Sequence, residues 1–251
     1  MDVALTLDAS TLLRLAVVVF GAAGGAWLVA HLAGLGVGRD ALVAAGRAVV
    51  QLAAVGLVIT AVLRSWWLTV AFLAVMLTVA AATSGRRLRQ GRAWAWAYLP
   101  IATGAVPTVL GLLASGLMLV RPITVVPIAG IVIGNAMTAT TLSARRCLDA
   151  LERDHGQYEA ALSLGLEPRD AAVLVARPHA ALALVPGLDQ TRTVGLVTLP
   201  GAFVGMLLGG ASPLAAAAVQ LIVLVSLLLV QALAVTVTVE LVVRGRWRND
   251  A

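Results

Sequence analysis

PLAAAAVQLIVLVSLLLVQALAVTVTV, residues 213–239, contains no charged side chain. About 20 predominantly apolar residues cross the hydrocarbon core of a bilayer as a helix. Within lipid every backbone N–H and C=O must be bonded inside the protein, which an isolated segment achieves only as a helix. The stretch therefore predicts a membrane-spanning helix over 213–240. Read outward from it, the same criterion finds six more spans, at about 11–33, 41–63, 66–83, 96–118, 123–144 and 192–210. The expected fold class is an all-α polytopic membrane protein, with residues 1–251 forming a single membrane domain.

Composition agrees. The chain is 61% hydrophobic and 12% charged, where soluble domains carry roughly a quarter charged residues. All 18 basic residues are arginine. The net charge of +6 would suggest nucleic acid in a soluble protein. Here the arginines cluster in particular loops, so the positive-inside rule accounts for them and no nucleic acid is expected. With seven spans, one side receives Arg39, Arg86, Arg87, Arg89, Arg92, Arg145, Arg146, Arg153, Arg169, Arg177, Arg192, Arg244, Arg246 and Arg248. The opposite loops hold only Arg64 and Arg121. The prediction is an N-terminus outside and a C-terminus in the cytoplasm. Trp66 and Trp67 at one face, and Trp94, Trp96 and Trp247 at the other, fit interfacial belts. Asp2 and Asp8 with no basic run beside them argue against a cleaved signal peptide. Cys147 is the single cysteine, so no intrachain disulfide is expected.

The one substantial hydrophilic piece is the loop at about 145–191. Its pattern reads as two short helices. Gly165 suits a left-handed cap after Tyr158–Leu164. Pro168 suits the first turn of the next helix, with Glu167 and Asp170 at its positive end and Pro178 as its stop.

That loop carries a resemblance. Permeases of ABC importers have a cytoplasmic loop of the form EAA, three residues, G, nine residues, I-x-L-P. This chain has Glu159, Ala160, Ala161, then Gly165, Val175 in the isoleucine place and Pro178 at the end, with Arg177 replacing leucine. The stretches GRAVVQLAAVGLV (46–58), GIVIGNAM (130–137) and VGLVTLPGAFVGMLLGGASP (194–213) extend the resemblance to the FetB family of ABC permeases. That family, also known as UPF0014-like, is associated with bacterial iron export, and its plant relatives with aluminium tolerance. The resemblance implies a permease subunit of an ATP-driven transporter in the bacterial inner membrane. It implies a homodimer with a separate FetA-like ATPase that binds ATP and Mg, and no cofactor in this chain. Glu159, Ala160, Ala161, Gly165 and Pro178 would form the ATPase-coupling set. Where the family commonly reads Met-Met-Thr-Gly-Gln after Leu199-Pro200-Gly201, this chain reads Ala202-Phe203-Val204-Gly205-Met206, losing thioether and amide groups.

Polar residues within the spans supply the candidate substrate path: Arg47, Gln51, Asn135, Met137, Pro200, Gly201, Met206 and Gln220. Arg47 and Gln51 share one helix face, either on a pathway or subunit contact or with Arg47 snorkelling to the headgroups. Asn135 either orients a ligand or bonds between helices, and Gln220 and Gln231 share a face. Pro107 and Pro200-Gly201 read as helix breaks of the kind that free carbonyls in transporters. His31, His155 and His179 are scattered, and Met118, Met137 and Met206 make at most a sparse thioether path, so no metal site is assigned. Without lysine there is no P-loop, so this chain is not expected to hydrolyse ATP. An intramembrane enzyme would need a catalytic cluster, and a secondary transporter a mid-membrane carboxylate; neither is evident. The substrate alternative to a metal ion is an organic or lipid-like molecule.

Overall fold

The computed structural model describes residues 8–88 and 91–247, the side chains of 91–93 apart. Asp2, Arg89 and Arg248 lie outside the described residues, as does the side chain of Arg92. Among the described residues there is no strand, only an isolated bridge between Val194 and Thr198. Seven helical stretches are long and apolar enough to cross a membrane. The chain is an all-α polytopic membrane protein.

It divides into two compact units, Met1–Arg64 and Ser65–Ala251. The first is a hairpin of α1 (Ala9–Leu32) and α2 (Gly38–Val62). Asp8 caps α1 by accepting from Thr11 N at 2.9 Å, and hydrogen bonding from the Thr11 side chain, then from its backbone N–H and from Ser10, holds the carboxyl below the usual carboxylate range. Gly34 and Gly36, at φ 66° and 70°, make the reversal, and Gly38 fits under Trp27. Phe20, Leu32 and Leu57 are exposed on its surface, as suits helices solvated by lipid or by a partner rather than by water.

The second unit is a bundle of α3 (Trp66–Arg87), α4 (Tyr98–Ala114, entered through a 3-10 helix at Gly91–Ala97), α5 (Pro122–Arg153) and α10 (Pro213–Val243). Around one end lie α6 (His155–Ser163), α7 (Pro168–Ala181), a 3-10 turn at Leu182–Leu184 and α8 (Val185–Thr193); α9 (Gly201–Leu208) packs on α10. The core is built from small residues. Ala129, Val132, Ala136, Ala139, Ser143 and Cys147 form a buried stripe along α5 at helical spacing. Val223, Leu227, Val230 and Ala234 do the same on α10. Small side chains let helix backbones approach where apolar burial alone gives no drive in lipid. Ser84 Oγ and Thr141 Oγ1 bond at 2.8 Å between α3 and α5.

Three expectations change. First, α7 does not stop at Pro178 but runs to Ala181 and continues into α8. Pro178 removes one N–H donor from an exposed face. The opposite face buries Ala171, Ala172, Val175, Ala176 and Ala180, and that packing holds the helix through the proline. Pro107 likewise lies inside α4 without ending it.

Second, little of 145–191 is a free hydrophilic loop. α5 continues to Arg153, α7 packs against α5 and α10, and α8 packs against α10. The arginines of α7 conceal the alanine stripe that docks it.

Third, 192–210 is not one helix. α8 ends at Thr193, residues 194–200 are non-helical, and α9 begins at Gly201. Thr193 O accepts from Leu196, Val197 and Thr198 N, and Gly195 turns at φ 84°. The sixth apolar stretch long enough to cross a membrane is instead Pro168–Thr193.

Candidate functional site

Two places gather the predicted site residues. The first is the end of the second unit where the arginines collect. Arg145 Nη2 donates to Arg87 O at 2.7 Å, joining α5 to the end of α3, and Arg246 lies 5.1 Å from the Trp96 ring centroid. α6 stands at this end. It closes as the sequence predicts: Gly165 N bonds to Leu162 O at 2.9 Å and Leu166 N to Ala161 O at 3.1 Å, with Gly165 at φ 89°. This is the Schellman arrangement, which satisfies the last carbonyls of the helix. Pro168 occupies the first turn of α7 and Glu167 is its N-cap.

The coupling set is thus partly brought together. Glu159, Ala160 and Gly165 are exposed side by side, Leu164 is 83% exposed, and Ala161 turns inward at 4%. Glu159 Oε1 lies 3.4 Å from His155 Nδ1, one turn back. Pro178 is exposed but stands on α7, apart from that turn.

α7 is tied to its neighbours near both of its ends. Near its start Arg169 donates to both carboxylate oxygens of Glu240, at 3.1 and 2.7 Å, while Arg244 donates to Glu240 from one turn along α10. Near its end His179 Nε2 lies 3.9 Å from Asp154 Oδ2, beyond the end of α5. Leu148, His155, Tyr158, Arg169, Val242 and Trp247 line a cleft of about 580 Å³ between these elements. The sequence reading missed the Arg169–Glu240 pair because its partners are remote in the chain. The pair is half-exposed, so Glu240→Gln should cost no more than about 1 kcal/mol. A double-mutant cycle with Arg169→Gln, followed by thermal unfolding in detergent, reads this directly. The coupling term should shrink further in high salt.

The second place is interior. Gln231 Nε2 on α10 donates to Asn135 Oδ1 on α5 at 3.1 Å, and Asn135 Nδ2 donates to Ile131 O at 2.9 Å. Gly187 of α8 lies against Gln231, so closely that a Cβ there would overlap the amide oxygen. Sequence spacing pairs Gln231 with Gln220. The structure joins it instead to Asn135 and Gly187, an association no local signal carries.

Within the second unit the remaining path residues are placed elsewhere along the helices. Gln220 is buried, eleven residues and about 16 Å back toward the start of α10, with no partner for its oxygen. Met137 is half-buried, and its carbonyl accepts from Thr141 Oγ1 at 2.8 Å and Ser84 Oγ at 3.4 Å. Pro200 is the N-cap of α9, Gly201 its exposed first residue, and Met206 half-buried. Arg47 and Gln51 are exposed on α2 of the first unit. Among the described residues no three of His, Cys, Asp and Glu come together to hold a metal ion. The interior offers amides, hydroxyls and carbonyls: groups that hydrogen-bond or donate lone pairs without carrying charge.

Comparison with known proteins places this architecture. Residues 12–246 match the family described as uncharacterised protein family UPF0014. The UPF0014 membrane protein STAR2 of Oryza sativa subsp. japonica is 36% identical over 76% of this chain and 68% of its own length. Protein ALUMINUM SENSITIVE 3 of Arabidopsis thaliana is 36% identical over 71% of this chain and 66% of its own. The probable iron export permease protein FetB of Escherichia coli K12 is 32% identical over 80% of this chain and 79% of its own. The chain thus spans about two thirds of the length of the two plant relatives. No solved structure matches. The match across nearly the whole of both units establishes that the chain belongs to the UPF0014 family of membrane proteins.

Proposed function

We propose that the chain is the permease subunit of an ATP-driven ABC transporter that exports a metal ion resembling iron. It works as a homodimer with a separate FetA-like ATPase that binds ATP and Mg. It lies in the bacterial inner membrane, with its N-terminus outside and its C-terminus cytoplasmic. The observation that carries this reading is the exposed helix–glycine–helix turn at the arginine-rich end of the bundle. Its Glu159-Ala160-Ala161 and Gly165 stand at the spacing of an ABC coupling loop. The relative named as a probable iron export permease supports the cargo and the direction. ATP closes the ATPase dimer and draws the two loops together. The pull passes through α6 and α7 to α5, α10 and the broken α8–α9 stretch, switching access across the membrane.

The uncharged interior favours a second reading of the cargo: an organic or lipid-like molecule held by hydrogen bonds to Asn135, Gln231 and free carbonyls. The same assay separates the two. Inside-out vesicles carrying this chain and the matched ATPase should take up ferrous iron when ATP is added. Uptake of an organic or lipid-like solute, with no response to any divalent metal, transfers the assignment to the second reading. If no ATPase co-purifies in mild detergent and the chain transports alone, the ABC assignment fails.

A further inference from the structure

Gln231 is 6% exposed, and one of its two polar atoms has no bonding partner. Its Nε2 serves Asn135 Oδ1, and Asn135 Nδ2 serves Ile131 O. Turning either amide would set oxygen against oxygen or N–H against N–H, so the orientation of both is fixed by the chain of bonds. This leaves Gln231 Oε1 pointing at the backbone of Gly187. A Cβ on Gly187 would stand 2.7 Å from Gln231 Cδ and 2.8 Å from Nε2, and would overlap Oε1. A side chain at Gly187 fits only if the Gln231 amide swings away from Asn135, so glycine is what lets the pair close.

Three elements therefore join at one point: α5 through Asn135, α10 through Gln231 and α8 through Gly187. The junction has two properties that ordinary packing lacks. A buried carbonyl oxygen left without a donor costs free energy, so the closed junction is poised rather than deep. It also sits six residues before the end of α8, beyond which the backbone is non-helical as far as Pro200. Whatever fixes Gly187 fixes where that break stands. On the other side α8 continues α7, whose start Arg169 ties to the end of α10.

We propose that Gly187 and the Asn135–Gln231 amide pair form a seat that positions the broken α8–α9 stretch, and that this seat is released when α6 and α7 are pulled. Release uncovers Gln231 Oε1, an uncharged acceptor, beside the break. Gly187 is a positioning residue. The release half of this inference rests on the transporter reading; the existence of the seat does not.

Two measurements test the halves separately. Hydrogen exchange on the purified chain reads the amides of Leu196, Val197 and Thr198, all bonded to Thr193 O. Gly187→Ala should accelerate their exchange by about tenfold while the amides of α5 and α10 keep their rates. Unchanged exchange at 196–198, or equal acceleration through α5 and α10, overturns the seat. The second measurement leaves the seat intact and ties the start of α7 to α10 through Arg169→Cys and Glu240→Cys in a Cys147→Ser background, bridged by a short bis-methanethiosulfonate linker and assayed as the reconstituted complex. Bridging should abolish ATP-driven transport, and reductant should restore it. Full transport in the bridged protein overturns the release. If the unmodified complex does not transport either, the transporter reading has failed, and the exchange result still decides whether the seat exists.

Discussion

If the transporter reading holds, Gly165→Trp should abolish stimulation of the proposed partner ATPase while the chain still inserts and folds. A Cβ on Gly165 meets nothing within 4 Å and the residue is exposed, so a side chain there starts toward open space. The backbone stands at φ 89°, where an L side chain costs roughly 1–2 kcal/mol. That strain is confined to an exposed turn and does not reach the bundle. The expected damage is at the surface that Glu159, Ala160 and Gly165 present together. A bulky aromatic at the centre of a small, close-fitting contact should weaken docking by about 2 kcal/mol or more, a loss of roughly thirtyfold in affinity. Gly165→Asn separates the two effects, because asparagine tolerates the left-handed conformation. It should keep most of the stimulation. ATPase titrations in proteoliposomes measure both variants, and normal stimulation by Gly165→Trp would remove the coupling role from this turn. Glu159→Lys reverses a charge on the same surface and breaks the pair with His155, and should act in the same direction.

Much of this turn is legible in the amino-acid sequence, because its signals are local. A glycine that must adopt positive φ and a proline in a first turn act within five residues of themselves, and tertiary contacts did not override them. The long apolar runs of α1 to α5 and α10 are legible for a different reason: lipid leaves a backbone of that length only one way to bond. Reading fails where contact and composition disagree. Residues 168–193 carry Arg169, Arg177 and Arg192 and look like a hydrophilic loop, yet an alanine stripe docks α7 against α5 and α10. Residues 194–200, VGLVTLP, look like the inside of a span except at Pro200, whose break with Gly201 the sequence does signal; the turn that Gly195 begins carries no such mark. Composition averages over a window and cannot register a break seven residues long. Gly187 is the extreme case, one glycine among many whose meaning is a side chain on another helix.

One added side chain should cost heavily at Gly104 on α4. A Cβ there would lie 2.8 Å from Val230 O, 3.4 Å from Val230 Cγ1 and 3.6 Å from Ala234 Cβ. The nearest atom is backbone carbonyl in the middle of α10, which cannot rotate aside as a side chain can. Gly104→Ala should destabilise by about 1–3 kcal/mol, the ordinary cost of overpacking, and Gly104→Leu should leave little folded protein. Gly111 is the internal control. It lies seven residues on, nearly the same face of α4, yet nothing stands within 4 Å of its Cβ position. α4 and α10 therefore touch at Gly104 and have parted by Gly111. Gly111→Leu should change the thermal midpoint in detergent very little, while Gly104→Leu removes the folded fraction; equal effects would mean that the crossing does not hold the bundle. The consequence reaches the interior site, because Val230 precedes Gln231. Pushing α10 away from α4 at Val230 shifts the amide that bonds Asn135 and rests on Gly187. A milder Gly104→Ala should therefore also accelerate exchange at Leu196–Thr198, with Gly111→Ala leaving it unchanged, because the close contact that fixes α10 also fixes the seat of α8.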